Sequence, residues 1–377
     1  MKSLHLVKTS DGASWAYRLM RDLVEMGEEV HVALPRGGKM VGLYEKAGVA
    51  VHELEYSLTD IYRSCTSLRT LVQDVSPDIV HSHFVLTTFI MRLALMNDSR
   101  PRVFEVPGPL HLEHFLPRTA ELLLARKNDY WIATCRWSYE KYIRMGVNPK
   151  RLFLTYYGND IARTEYQKGK LREELHLADD DFIVGMVAYM YAPKWYLGQK
   201  TGLKGHEDFI DAVSELEKRY PQLHSVCIGG AWNGALRYEK RIRRYAERKC
   251  RRMHFLGVRD NVAELYQDVN IAVHPSHSEN LGGAAESLSL GVPTIATAVG
   301  GFPDIVIDGY TGLLVDPHSS HQLANSIACF INNYEYAGNL AENGRNFVSG
   351  LLDSRNTSRE VYDIYRKIRG HYVRESH

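Results

Sequence analysis

Short apolar runs alternate with helical patterns along most of the chain, and this alternation constrains the fold more than any other feature of the sequence. In the first half, the runs begin at Leu4, Val30, Ile79, Val103 and Tyr130. The stretch between the first two runs carries apolar residues at helical spacing. Strands that alternate with helices in this way predict a parallel β-sheet with helices packed on it.

The same pattern starts again in the second half of the chain. Here the apolar runs begin at Phe182, Ser225, His254, Ile271 and Thr294. A chain of 377 residues has the length of two α/β domains. We therefore expect one domain over residues 1–160, a second over 161–345, and a closing segment over 346–377 that forms a helix and crosses back to the first domain.

Charge and cysteine content exclude several classes of protein. The 46 lysines and arginines nearly balance the 45 aspartates and glutamates, so no overall field favours nucleic acid, and an anionic partner needs a local site. The five cysteines are scattered without a paired motif, which predicts reduced thiols in a cytoplasmic protein. The longest apolar run is too short to span a bilayer. Peripheral attachment at the inner face of a membrane stays open.

Residues 274–293 carry the most informative pattern. Gly282 and Gly283 follow a predicted strand and open a helix, where backbone N–H groups and the helix dipole favour a phosphate. Glu286 lies one turn into that helix and Glu279 lies in the loop before it, and both carboxylates could accept hydrogen bonds from sugar hydroxyls. The alternative is a tight turn followed by a glutamate that caps its own helix.

This segment resembles the donor-binding signature of glycosyltransferase family 4, the retaining enzymes of GT-B fold. The stretches 299–306 and 308–315 resemble the sequence that follows the signature in that family. The resemblance covers the second domain. It implies an α/β GT-B fold in which two Rossmann-like domains face each other across a cleft. The first domain would bind the acceptor and the second a nucleotide-diphosphate sugar.

The resemblance also implies roles for individual residues. Glu279 would contact the donor sugar and Glu286 the ribose, although six residues separate them here and the family has seven. Lys204 would bind the donor diphosphate, with a solvated surface lysine as the alternative. The family's arginine on the diphosphate is missing after Val187. Lys194 or Arg237 could replace it, or Lys204 could act with helix N-termini alone. The donor loop would comprise Asn280, Leu281, Gly282 and Gly283.

In the first domain, the family pattern points to Gly12, where a backbone could approach the ligand closely, and to His83. His83 is favoured over His81 because it lies nearer the carboxyl end of the predicted strand. A turn glycine and a structural histidine are the alternatives. Two histidines two residues apart could bind a metal, but the sequence suggests no third ligand nearby. The acceptor-side candidates are His111, Glu113 and His114.

The basic run over residues 240–252 could face anionic lipid, but the sequence favours a solvated helix with cations spread around it. Taken together, the patterns predict a retaining glycosyltransferase that moves a hexose-type sugar to a glycan, lipid-linked or small-molecule acceptor. It would need neither a cofactor nor a metal and would bind no nucleic acid. Surface polysaccharide or glycan synthesis is the expected setting. The alternatives are glycosylation of small natural products, a nucleotide-sugar 2-epimerase, and a non-catalytic nucleotide-sugar-binding protein.

Overall fold

A computed structural model describes residues 1–161, 166–195 and 198–375, with the side chains of 116, 117 and 371–375 left undescribed. It divides into two compact units. Unit 1 comprises Met1–Asn159 with Leu351–His377, and unit 2 comprises Asp160–Gly350. The last two residues of the predicted closing segment, 376 and 377, lie outside the described residues.

Unit 1 contains a parallel sheet in the order β3-β2-β1-β4-β5-β6-β7. The order reverses between β1 and β4, and such a switch point is where parallel α/β sheets commonly bind ligands. The strands are β1 (Lys2–Leu6), β2 (Glu29–Leu34), β3 (Ala50–Glu53), β4 (Ile79–Ser82), β5 (Arg102–Glu105), β6 (Asp129–Ala133) and β7 (Leu152–Leu154).

Helices cover this sheet because each presents one apolar face. In α1, Leu19 and Leu23 are buried, and they share a core with Tyr365 and Ile368 of the C-terminal helix. The helices of unit 1 that precede its last strand are α1 (Ser14–Glu25), α2 (Val41–Lys46), α3 (Ile61–Val75), α4 (Val85–Ala94), α5 (Leu110–Glu113), α6 (Phe115–Leu123) and α7 (Arg136–Arg144).

Unit 2 repeats this architecture with a parallel sheet in the order β10-β9-β8-β11-β12-β13, which reverses between β8 and β11. The strands are β8 (Phe182–Val187), β9 (Leu223–Ile228), β10 (Met253–Gly257), β11 (Ile271–His274), β12 (Thr294–Thr297) and β13 (Leu313–Val315). The helices are α8 (Lys170–Leu175), α9 (His206–Leu216), α10 (Leu236–Lys249), α11 (Val262–Leu265), α12 (Gly282–Ser289), α13 (Phe302–Ile305), α14 (Ser320–Asn332) and α15 (Tyr334–Leu351). The predicted α/β class with two parallel sheets is confirmed.

The closing segment is not one helix from residue 346. Instead α15 ends at Leu351 and α16 runs over Ser354–Glu375 within unit 1. The start of α16 packs closely against Gly158. A Cβ on Gly158 would lie 2.4 Å from the Cα of Ser354, so only glycine permits this contact. Arg18 also donates from Nε to the Gly158 carbonyl at 2.9 Å. Among the described residues, no helix combines the length and hydrophobicity that crossing a bilayer requires.

Candidate functional site

The loop after β11 is closely packed against the start of α12, and two glycines permit this. Gly282 has a φ of 41°, and a Cβ there would lie 2.7 Å from the Glu279 carboxyl carbon. A Cβ on Gly283 would lie 2.8 Å from the ring of His274. The N-terminus of an eight-residue helix therefore lies at the carboxyl end of β11, next to the point where the strand order reverses. Such a helix start favours an anion.

A second loop, at the start of α9, is fixed against the first by backbone contacts. Gly205 has a φ of 72°, and a Cβ there would lie 2.0 Å from the carbonyl oxygen of Pro275. The backbone N–H of His277 donates to the carbonyl of Leu203 at 2.8 Å. These contacts hold Lys204 beside the loop that carries Glu279, and the two side chains form an ion pair. The structure thus brings together two predicted donor-site residues.

An aromatic ring and a neutral imidazole lie near the ammonium group of Lys204. Its ammonium nitrogen lies 5.5 Å from the centre of the Tyr191 ring, a cation–π distance. Burial, followed by the charge of Glu279, raises the pKa of Tyr191 to about 12, so this phenol stays neutral. Burial, followed by the charge of Lys204, lowers the pKa of His274 to about 3. Nε2 of the neutral His274 ring lies within hydrogen-bond distance, 3.0 Å, of the Ser287 hydroxyl.

The remaining residues of the predicted donor loop take different positions. Glu286 lies half-buried on α12, one turn after its start. Asn280 is buried, and its Oδ1 has no hydrogen-bond partner among the described residues. A buried acceptor of this kind usually has a partner, so Oδ1 could accept from a ligand hydroxyl. Leu281 is buried in unit 2 and serves packing.

Sequence reasoning missed Tyr191. It occupies the stretch after β8 where the family pattern expects an arginine, and it contacts Lys204 through its ring face. Of the two proposed replacements, Arg237 lies on α10 in an exposed basic group, and the backbone of Lys194 donates to the Gln199 side chain at 2.9 Å. The absence of the expected arginine was the signal that another residue type fills this position.

His83 lies directly after β4, but its ring is fully buried. Its Nε2 lies 2.9 Å from Nδ1 of His5, and its Nδ1 lies 3.6 Å from the Glu105 carboxylate. Burial lowers the pKa of His83 well below its ordinary value. The sequence suggested no third ligand near His81 and His83, whereas the structure places a third imidazole, His5, beside them because β1 pairs with β4.

The other unit 1 candidates have separate surroundings. An added Cβ on Gly12 would meet no atom of the described residues within 4 Å, its two chain neighbours aside. His111 is buried, with Nδ1 3.1 Å from the Gly108 carbonyl and Nε2 3.0 Å from the Tyr142 hydroxyl. Glu113 is exposed at the end of α5, and His114 is half-buried before α6. Both ring nitrogens of His111 therefore have protein partners, which favours a structural role for this residue.

The cations of α10 are only partly spread around the helix: Arg243 and Lys249 pair with Glu239 and Asp211, and five others share one face. Tyr238, Ile242 and Ala246 face the core, which leaves the opposite face to the exposed basic residues. Positions three and four apart share a helix face, so these cations form one basic stripe. The stripe consists of Arg237, Lys240, Arg241, Arg244 and Arg248. Arg241 of the stripe forms an ion pair with Glu207 at 3.3 Å.

Comparisons with known proteins agree with this architecture. Residues 12–158 match the family model of the glycosyl transferase 4-like domain, and residues 195–347 match that of glycosyl transferases group 1. A D-inositol 3-phosphate glycosyltransferase of Nocardioides sp. is 24% identical and covers 79% of this chain and 69% of its own. An uncharacterised glycosyltransferase of Methanocaldococcus jannaschii is 26% identical, and the match covers 74% of this chain and 72% of the relative.

A solved structure shares the fold over nearly the whole chain. The crystal structure of Anabaena HepE in complex with UDP and glucose superimposes with a TM-score of 0.82 at 22% identity, covering 97% of this chain and 99% of the other. The predicted GT-B fold is confirmed.

Proposed function

Because this chain belongs to the glycosyltransferases of GT-B fold and family-4 type, we propose that it transfers a hexose-type sugar from a nucleotide-diphosphate donor to an acceptor hydroxyl with retention of configuration. The observation that supports the donor site is the ion pair of Lys204 and Glu279, held beside the glycine-opened helix α12. It places a cation, a carboxylate and backbone N–H groups at the carboxyl edge of one sheet.

Each group has a distinct task in this proposal. Lys204 and the backbone amides of Gly282 and Gly283 bind the diphosphate and stabilise the charge that develops on it. Glu279 accepts hydrogen bonds from the sugar hydroxyls, and Glu286 accepts them from the ribose. The diphosphate competes with Glu279 for the ammonium group, so donor binding loosens the ion pair and frees the carboxylate for the sugar.

The reaction breaks the bond between the anomeric carbon and the diphosphate oxygen and forms one to the acceptor oxygen on the same face. The departing phosphate takes the proton of the acceptor hydroxyl, so no covalent enzyme intermediate is required. Positioning then provides much of the rate increase. We expect no metal at the diphosphate, and nucleotide release should therefore be the same with and without added Mg²⁺.

HepE is bound to UDP and glucose, which makes UDP-glucose the first donor to test. Surface polysaccharide or glycan synthesis is the setting that the family resemblance implies, with small natural products as the competing acceptors. The stereochemical claim is tested by NMR of the isolated product. An α-configured product from an α-configured donor supports retention, and a β-configured product contradicts it. Isomerised sugar from donor alone would instead indicate the epimerase.

We also propose that the basic stripe of α10 binds a membrane surface rich in anionic lipid. Two exposed apolar residues lie near the start of the stripe: Leu236 is the first residue of α10, and Trp232 lies in the loop four residues before it. Basic residues beside exposed aromatic and aliphatic side chains suit the headgroup region of an anionic bilayer. The acceptor of such an enzyme could be lipid-linked.

Vesicle flotation tests this surface. The wild type should bind phosphatidylglycerol vesicles and not phosphatidylcholine vesicles. A triple variant, Arg237→Gln, Arg244→Gln and Arg248→Gln, should lose that binding. A control with three exposed arginines of α16 changed, Arg355→Gln, Arg359→Gln and Arg366→Gln, should keep it. Equal losses in the two triple variants would contradict a specific role for α10.

A further inference from the structure

Two imidazoles and a carboxylate converge at the carboxyl edge of the sheet in unit 2. Asp208 lies in the first turn of α9, His277 in the loop after β11, and His318 in the loop between β13 and α14. One ligand atom from each of these side chains lies within 4.8 Å of the others. Three segments that are distant in the sequence therefore meet at one point.

The fold explains why these segments meet. Strands β11 and β13 run parallel with β12 between them, so the loops that follow them leave the sheet at the same edge. The start of α9 is held there by backbone contacts. A Cβ on Gly205 would lie 2.0 Å from the carbonyl oxygen of Pro275, and the N–H of His277 donates to the carbonyl of Leu203 at 2.8 Å.

The three side chains contact one another. Nε2 of His277 lies 2.6 Å from Oδ2 of Asp208, and the two side chains are only 10% and 17% exposed. The ring centres of His277 and His318 lie 3.6 Å apart. His318 has a φ of 62°, which is uncommon for a residue other than glycine, and it is exposed. The cluster is therefore formed by the fold and can be reached from solvent.

We propose that Asp208, His277 and His318 bind a divalent transition-metal ion of the Zn²⁺ type. Two imidazoles with one carboxylate suit zinc and its neighbours in the first transition series, whereas Ca²⁺ and Mg²⁺ prefer oxygen ligands. Each residue contributes one atom to the ion, so no ring has to bind it through both nitrogens. Three protein ligands leave a fourth position for a water molecule.

Metal binding requires a local movement of the side chains. Zinc binds its ligands at about 2.0–2.2 Å in a tetrahedron, which separates neighbouring ligand atoms by about 3.4 Å. The ion takes the place of the proton between His277 and Asp208, and their contact widens from 2.6 Å to that separation. His318 is exposed, so its ring can turn away from His277 towards solvent as the ion enters.

The site adjoins the proposed donor site without being part of it. His277 precedes Glu279 by two residues, and Asp208 follows Lys204 by four. A bound ion would link the loop of Glu279 to α9 and to the loop after β13. The ion has no contact with the diphosphate in this proposal. Its binding is measured without donor, so the result is independent of whether the protein transfers a sugar.

Isothermal titration calorimetry with Zn²⁺ tests the site in the full-length protein, used without a histidine tag and after treatment with a chelator. The wild type should bind one Zn²⁺ per chain, with the same affinity when Mg²⁺ is present in excess. The absence of Zn²⁺ binding would overturn the proposal. Displacement of Zn²⁺ by Mg²⁺ would also overturn it, because it would indicate a site made of oxygen ligands.

Variants locate the ion. His277→Gln and His318→Gln should each weaken Zn²⁺ binding by at least about tenfold, since even a change next to a ligand has an effect of this size. His224→Gln is the matched control and should bind as the wild type does. Nδ1 of His224 lies 3.1 Å from His254 and its Nε2 lies 3.5 Å from Asp181, so opposite nitrogens of one ring make the two contacts. That group cannot converge on one ion.

A second control lies close to the site. His321 is exposed three residues after His318, and its Nδ1 lies 3.4 Å from the Glu215 carboxylate, so His321→Gln should also keep wild-type affinity. Unchanged affinity in both cluster variants, or an equal loss in His321→Gln, would overturn the assignment. Because His318 is exposed, His318→Gln keeps the test valid if His277→Gln fails to fold.

Discussion

Lys204 forms an ion pair with Glu279, which lies 75 residues further along the chain. Both side chains are largely buried, at 16% and 15% exposed, so solvent screens their attraction less than that of a surface pair. In the proposed reaction, one partner binds the diphosphate and the other the sugar. The site without donor is therefore neutral at this point, and the donor has to displace an internal carboxylate.

Substitutions of this pair should have opposite effects on nucleotide binding. Lys204→Gln removes a charge-assisted contact and should weaken UDP binding by about 10- to 100-fold. Glu279→Gln leaves Lys204 unpaired, so UDP should bind at least as tightly while sugar transfer falls. Isothermal titration calorimetry and turnover measure the two properties. If Glu279→Gln weakens UDP binding as much as Lys204→Gln, Glu279 does not compete for the ammonium group.

The glycine that opens α12 should tolerate no side chain. In Gly282→Ala, a Cβ at a positive φ would press on the Glu279 carboxyl group and displace it from Lys204. We expect a loss of about 1–3 kcal/mol in the free energy of unfolding, with a large drop in kcat/KM. Gly338→Ala is the matched control, since α15 leaves that position open and alanine favours a helix. If Gly282→Ala unfolds at the wild-type urea concentration and keeps full activity, the steric argument is wrong.

Gly12 should matter for the ligand and not for the fold. It has ordinary backbone angles and open space where a Cβ would lie, so Gly12→Ala should unfold at the wild-type urea concentration. If the backbone approaches the donor or acceptor there, kcat/KM falls. Gly42→Ala, also in open space, should leave both properties unchanged. Wild-type kinetics in Gly12→Ala would show that this residue is only a turn glycine.

His274 should make stability depend on pH. Its pKa is about 3 in the folded protein and near 6.5 when unfolded, so the unfolded state binds more protons as the pH falls below about 6.5. Its contribution to stability is complete above that pH and shrinks by about 2 kcal/mol between about pH 7 and pH 5. His274→Gln should flatten the measured dependence by that amount. Parallel curves for the two proteins would mean that His274 titrates normally.

The two sheets could be predicted from local sequence patterns, because strand length and helical spacing are properties of neighbouring residues. The run from Phe182 and the helix starting at Gly282 could be predicted for that reason. Contacts between distant segments could not, and the register that places His5 opposite His81 is such a contact. The ring of Tyr191 beneath Lys204 was missed because a tyrosine carries no charge that would single it out.

The α10 stripe was misread for a different reason. The prediction for the run over 240–252 rested on cations spread around the helix at helical spacing and on their dilution by Glu239 and Glu247. In the helix Glu239 pairs with Arg243, with their side chains 2.8 Å apart, and both lie away from the stripe. Counting positions three and four apart, beginning at Arg237, would have separated the basic face from the mixed one.

In the proposed function, the loop that carries Lys204 and the helix α12 that carries Glu286 form the donor site of a sugar transferase. Purified wild type, Lys204→Ala and Glu286→Ala should be supplied with UDP-, GDP- and ADP-sugars and pooled acceptors, and the release of nucleotide diphosphate measured. We predict release from one donor class by the wild type and its loss in both variants, with folding retained. Tight nucleotide binding by the wild type without release from any donor would contradict the account and indicate a binding protein.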